Sequence, residues 1–183
     1  MNGFNFKDVN ENKSNRFADS ALGKIIASIQ DVTIEYSYNI EGICPRENGK
    51  WSGERGNSKW IPEKTDIPQK SNPDNLTWEQ ILEKYGIDGI RYSDGEPNFD
   101  KISKGNVDID GFSSRRPDNF NKADIELAKK RGCSPEDVKR WRHENNYTWH
   151  ECKNMKTMQK VPSVVHNNMA HSGGVSEAKK RGL

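Results

Sequence analysis

The sequence predicts an α+β fold, a small mixed domain whose last part is a two-stranded hairpin followed by a short helix. Three observations predict it. Helix start and stop signals recur, with capping residues at one end and glycine at the other. Between them lie short β-branched, aromatic or alternating stretches bounded by turn residues. The segment from Thr148 to Gly174 then runs strand, turn, strand, helix, and it holds three of the chain's four histidines, His150, His166 and His171.

In chain order, residues 1–16 are rich in Asn, Lys and Glu and are expected to be floppy. "FADSALGKIIASIQ" sets Phe17, Leu22, Ile25, Ile26 and Ile29 roughly on one helical face, and "VTIEYSYNI" reads as a strand. "ENGKWSGERGNSKWIP" reads as a glycine-punctuated loop between Trp51 and Trp60, its Arg55 and Lys59 read as solvated charges. In "NLTWEQILEKYG", Thr77 and Gln80 suit a capping box and Gly86 ends the helix. "IDGIRYSDGEPNF" alternates around an Asp94-Gly95 turn, and "DIDGF" reads as a short strand. One helix is expected from an Asn121 cap to Gly132. Another starts from a Ser134 cap with Pro135 at its first position. In that second helix Val138 and Trp141 face inward, leaving Lys139, Arg140 and Arg142 open to solvent or phosphate. "YTWHEC" and "TMQKV" are the hairpin strands and "KNMK" is their turn. "SVVHNNMAH" is a short helix capped by Ser163 and stopped by Gly173-Gly174. Trp149, Met155, Met158 and Met169 read as packing residues. The expected organisation is an N-terminal helix/strand segment over 1–45, partly flexible, and a main domain over 46–183 with its ββα core at about 146–174.

Composition narrows the function. Hydrophobic residues make up 31% of the chain and the mean hydropathy is −1.05, so a modest core with long loops is expected. No apolar run approaches the length of a membrane span, and Met1-Asn2-Gly3-Phe4 lacks a signal-peptide layout. The chain is expected to be soluble, or a fragment of a longer exported protein. Net charge is only +2, but residues 1–112 carry −5 and residues 113–183 carry +7. The basic half is also the histidine half, which suits a polyanionic substrate. Cys44, Cys133 and Cys152 are an odd number at wide spacing, read as reduced and mostly structural.

A hairpin and its following helix can hold one divalent metal between them, with His150 or Glu151 from the strand and His166 from the helix. His171 lies five residues further on, about 140° round an ideal helix, so either the helix has ended by then or only one of the two binds. The chemistry expected of such a site is phosphodiester hydrolysis: an imidazole takes a proton from water at neutral pH, and the metal stabilises charge on phosphoryl and leaving oxygens. Gln159, on the second strand, is placed to orient His150. The surrounding cations Arg140, Arg142, Lys153, Lys156 and Lys160 are the candidates for nucleic-acid phosphate. A structural zinc site from Cys133, His143 and Cys152 is a weaker alternative.

"YTWHEC…KTMQKVPSVVHNNMAHSGGV" resembles the WHH/WHE branch of the HNH/endonuclease VII nucleases, which form the C-terminal toxin domains of bacterial polymorphic toxins and colicin-like DNases. The resemblance spans about Trp51 to Gly174. It implies a ββα-metal (His-Me finger) unit and a non-specific, metal-dependent DNA endonuclease acting as an antibacterial toxin. One divalent ion is implied: Mg²⁺, Zn²⁺, Ni²⁺ or Mn²⁺. Carried over, Trp149, His150 and Glu151 stand at the triplet, Gln159 nearest a position that often carries Asn, His166 at the helix histidine and His171 before the glycine pair. Many relatives have two consecutive histidines where this chain has His150-Glu151, so two assignments remain open. In the preferred one His150 is the general base, and Glu151 joins His166 and His171 at the metal or orients the base. In the other His150 binds metal and Glu151 activates the water. The resemblance also implies DNA as substrate, a cognate immunity protein as partner, export as part of a larger toxin, and action in the target cell's cytoplasm. An RNase with the same unit, or a non-catalytic basic module with a structural metal, are the alternative functions.

Overall fold

The computed structural model describes residues 21, 22, 24–29 and 43–183. The chain divides into two units, Met1–Asn39 and Ile40–Leu183. In the first, residues 21–22 and 24–29 are helical, within the helix expected there. The rest of that helix, the strand expected over 32–40 and the stretch 1–16 lie outside the described residues.

The second unit is mixed α and β, with two antiparallel sheets. The first sheet runs in the order β1 (Gly49–Trp51), β2 (Lys59–Pro62), β3 (Ile90–Ser93), β4 (Glu96–Pro97). The stretch expected to be a loop between two tryptophans is therefore a hairpin. Trp51 stands directly opposite Trp60, their ring centroids 5.4 Å apart. Strands this short show no alternation, and their glycines signalled only a turn. The β3–β4 turn is the expected one: Asp94 and Gly95 both take positive φ, 49° and 71°, which closes a two-residue hairpin with the right twist. Helix α1 (Trp78–Tyr85) has the Thr77–Gln80 capping box and ends at Gly86 with φ 63°.

The second sheet has the order β5 (Asn106–Asp108), β7 (Thr157–Pro162), β6 (Tyr147–Glu151). Helix α2 (Arg116–Arg131) starts well before the expected Asn121 cap, because Pro117 suits its first turn, and it ends at Gly132 as expected. Helix α3 (Pro135–Glu144) is capped by Ser134, whose hydroxyl accepts from the Asp137 N–H. The short α4 (Ser163–His166) and α5 (Gly174–Lys180) follow β7. Pro162, not Ser163, holds the N-cap position of α4. Gly173 and Gly174 do not stop a helix. They open α5.

There are two cores. One packs the first sheet against α1 and α4 through Trp60, Ile81, Tyr92, Phe99, Val165 and Met169. The other packs the second sheet against α2 and α3 through Val107, Leu127, Val138, Trp149 and Met158. The alternation of β7 serves both, sending Met158 to one core and Val161 to the other. Full burial of one such side chain stabilises the fold by about 1.5–3 kcal/mol. In the β6–β7 register Trp149 faces Lys160, His150 faces Gln159 and Glu151 faces Met158. No described helix is long and apolar enough to cross a membrane.

Candidate metal centre

His150 is buried on β6, 1% exposed, and neither ring nitrogen has a hydrogen-bond partner. Leaving a buried polar atom unpaired costs about 1–3 kcal/mol. His166, the last residue of α4, and His171, five residues on, meet it: the ring centroids lie 5.4, 5.0 and 4.9 Å apart for the pairs 150–166, 150–171 and 166–171. One ligand nitrogen from each lies within 4.8 Å of the others. The question of helical phase is resolved by the helix ending at His166, so His171 sits on the following irregular chain and can turn back.

The two partly exposed imidazoles are fixed from behind. His171 Nδ1–H donates to the Met169 carbonyl at 2.6 Å. His166 Nδ1 lies 3.0 Å from Asn167 Oδ1. Both contacts leave the Nε2 lone pair free toward the cluster, the usual way a histidine is readied for metal. Burial, then the neighbouring imidazoles, push His171 down to about 4 and His166 well below its ordinary 6.5. Both rings are therefore neutral at pH 7, the form that ligates. Phe99 closes the floor of the cluster, its ring centroid 5.0 Å from that of His150. Three imidazoles, those of His166 and His171 held neutral, suit a tetrahedral or water-bearing divalent ion, so the residues present fit such an ion.

Gly173 and Gly174 make this convergence possible. A Cβ on Gly173 would lie 2.8 Å from the Glu151 carbonyl, and one on Gly174 would lie 2.5 Å from that of Cys152 and 2.7 Å from Phe112. Only glycine lets the chain pass so close over the end of β6.

Glu151 is not in the three-histidine group. Its side chain lies on the opposite face of β6 from His150, where Asn119 Nδ2 donates to Oε1 at 2.8 Å and Arg116 Nε donates to Oε2 at 2.9 Å. It nevertheless lines the same cleft as His166 and His171, a space of about 580 Å³ that also holds Arg116, Lys70 and Lys179. Burial pushes the Glu151 carboxyl up against the downward pull of Asn119 and Arg116.

Gln159 stands opposite His150 but donates from Nε2 to Asp100 at 2.6 Å, so it does not orient the imidazole by a hydrogen bond. Glu96 also approaches the His150 ring. Its Oε1 lies 3.6 Å from Nε2, longer than a normal hydrogen bond, and accepts the Lys153 N–H at 2.6 Å. Burial raises the Glu96 carboxyl, and the His150 and Lys153 contacts outweigh it, holding it below the usual range. Glu96, His150 and Cys152 form a second close group, as the shared strand face of His150 and Cys152 requires. Among the described residues no such group contains Cys133 or His143.

Two of the expected phosphate ligands are internal. Arg142 is buried and paired through Nε and a terminal nitrogen with Asp124, at 2.9 and 2.7 Å, in front of Trp149. Lys160 is fully buried with Nζ 3.9 Å from the Trp141 ring centre, and burial, then Arg131 and Arg142, pull it down to about 8. Arg140, exposed, pairs with Asp137 in its own helix. Lys156 pairs with Asp108, and Lys153 caps the Asp94 carbonyl. Arg55 binds the Cys44 carbonyl and Lys59 binds Asp88. The sequence reading missed Arg116, Asn119 and Glu96. A signal for the first two was the Arg-Arg-Pro run opening a helix in the basic half; Glu96 carried none.

Residues 89–173 match the family model of the DNase/tRNase domain of colicin-like bacteriocin. The match takes in just under half of the chain, from the start of the β3 hairpin to the glycine after the histidine cluster. No curated protein matches the chain. Over that stretch the chain is similar to a bacteriocin nuclease toxin, DNase or tRNase, and the similarity begins only after the β1–β2 hairpin that the sequence resemblance had included.

Proposed function

We propose that the protein is a metal-dependent endonuclease toxin of the HNH type, cutting DNA without sequence preference. The observation that carries the reading is the convergence of three imidazoles, two of which, His166 and His171, share one cleft with the Glu151–Arg116 pair. The match to a colicin-like nuclease domain supports the same class.

Of the two assignments left open by the sequence, the geometry favours the second. His150 lies with His166 and His171, and its unpaired nitrogens are those of a ligand. Glu151 then takes the proton of the attacking water. Its burial raises its basicity, and its hydrogen bonds to Asn119 and Arg116 aim it. Arg116, whose side chain is 60% exposed, steadies a phosphate oxygen with its remaining N–H groups. A bound divalent ion supplies charge stabilisation on the phosphoryl and leaving oxygens. Such a toxin is exported as part of a larger protein, works in the cytoplasm of the target cell and is held harmless by an immunity protein. An acidic inhibitor suits the +7 half.

Plasmid incubated with the protein and Mg²⁺, Mn²⁺, Ni²⁺ or Zn²⁺ should be nicked and linearised, and EDTA should stop it. Intact plasmid under every metal, with folded protein, would sink the proposal. A parallel tRNA digest decides between DNase and the RNase reading.

A further inference from the structure

The cleft over the histidines opens into a second groove that the chemistry above does not use. Arg116 and Asn167 line both. The second groove, about 490 Å³, lies between the start of β6, α4, the first turns of α2 and the end of α3. Its lining includes Arg116, Phe120, Asn121, Lys139, His143 and Tyr147, and no carboxylate. Lys139 and His143 are exposed, and neither side chain has an ion-pair or hydrogen-bond partner among the described residues. Tyr147 is held half-buried against Trp141, ring centroids 5.1 Å apart, so its orientation is fixed. Tyr147 and Glu151 mark the two ends of β6, which at a strand's rise is about 13 Å.

We propose that this groove binds the nucleotides flanking the scissile phosphate, with Lys139 and Arg116 on phosphate and Tyr147 and Phe120 against a base. The word scissile rests on the nuclease reading; the binding does not. A cation without a partner, rigid aromatic edges and no opposing acid are what a single-stranded nucleic acid needs. Two of the basic side chains expected from the sequence are not free here: Arg142 lines the groove but is spent on Asp124, and Lys160 is buried.

The test is fluorescence anisotropy of labelled DNA and RNA hexanucleotides with the full chain in EDTA. Lys139→Glu and Tyr147→Leu should each weaken binding about tenfold, and Lys139→Glu should flatten the salt dependence. Lys84→Glu, on α1, should bind like the parent protein. The tighter of the two oligonucleotides names the sugar. Unchanged binding by Lys139→Glu overturns the proposal. So does displacement by polyglutamate as readily as by unlabelled oligonucleotide, which would assign the groove to an acidic protein. Binding with no cleavage under any metal sinks the nuclease reading and leaves the groove standing; cleavage with normal binding by Lys139→Glu does the reverse.

Discussion

The two faces of the β6–β7 hairpin use burial differently. On one face Trp149 and Met158 fill a core, and the polar groups among them are answered. Trp149 Nε1 donates to Asp124 at 2.8 Å, Asp124 holds Arg142, and Glu151 accepts from Asn119 and Arg116. Even Lys160, with no hydrogen bond, rests on the Trp141 ring. On the other face His150 is as deeply buried, yet both its nitrogens are left without a hydrogen bond. A protein core rarely tolerates that. The difference teaches where to look for a ligand: both faces pack a core, and only His150 among the hairpin's buried imidazole, indole and carboxylate groups lacks a hydrogen-bond partner.

Mutations can break this comparison. The largest effect should come from His150→Leu, which should lower nuclease activity by at least about a thousandfold while leaving the melting temperature of the metal-free protein unchanged or higher, since an apolar side chain replaces an unpaired one. Calorimetry alongside a plasmid assay checks both; a large loss of stability would mean that His150 is merely structural. Glu151→Gln should cut kcat by about 10²–10⁴-fold with metal affinity retained, the signature of a lost base, not a lost ligand. Titration with Zn²⁺ or Ni²⁺ by calorimetry reads the affinity, and a parallel loss of binding would return Glu151 to the metal.

At Asp124 the signs reverse. Asp124→Ala should destabilise by about 3–5 kcal/mol, because it strands a buried guanidinium and the Trp149 N–H together, without reducing metal affinity in the fraction still folded. Urea unfolding measures it. The smallest effect sharpens the contrast through pH. The folded-state values of His166 and His171 lie below the unfolded 6.5, so the unfolded chain binds more protons and stability falls as pH drops below 6.5. For His171 the window closes near pH 4, at a cost of about 3 kcal/mol. Melting temperatures of the metal-free protein at pH 7, 6, 5 and 4.5 should decline, and a His166→Gln/His171→Gln variant should decline less. Equal slopes would show that these imidazoles are not held neutral by their surroundings.

Much of this could be read in advance where the cause is local. Thr77, Gly86, Ser134 and Gly132 set helix ends through hydrogen bonds and dihedral preferences within a few residues of themselves. The Asp94-Gly95 turn is of the same kind. What failed was whatever depends on distant chain. The β1–β2 hairpin has too few residues to show a period. Arg142 and Lys160 looked solvated because charge alone does not reveal a buried Asp124 or a Trp141 ring.

By itself, then, the sequence determined the order strand, turn, strand, helix, and which histidines that order brings near one another, because pleat and helical phase are properties of adjacent residues. Only the tertiary structure decided their roles. Which nitrogens are left unpaired, which carboxylate shares the cleft, and which cations face open space all depend on packing between distant elements, such as Arg116 and Glu151, 35 residues apart, or Glu96 and Lys153, 57 apart. No pattern along the chain encodes that.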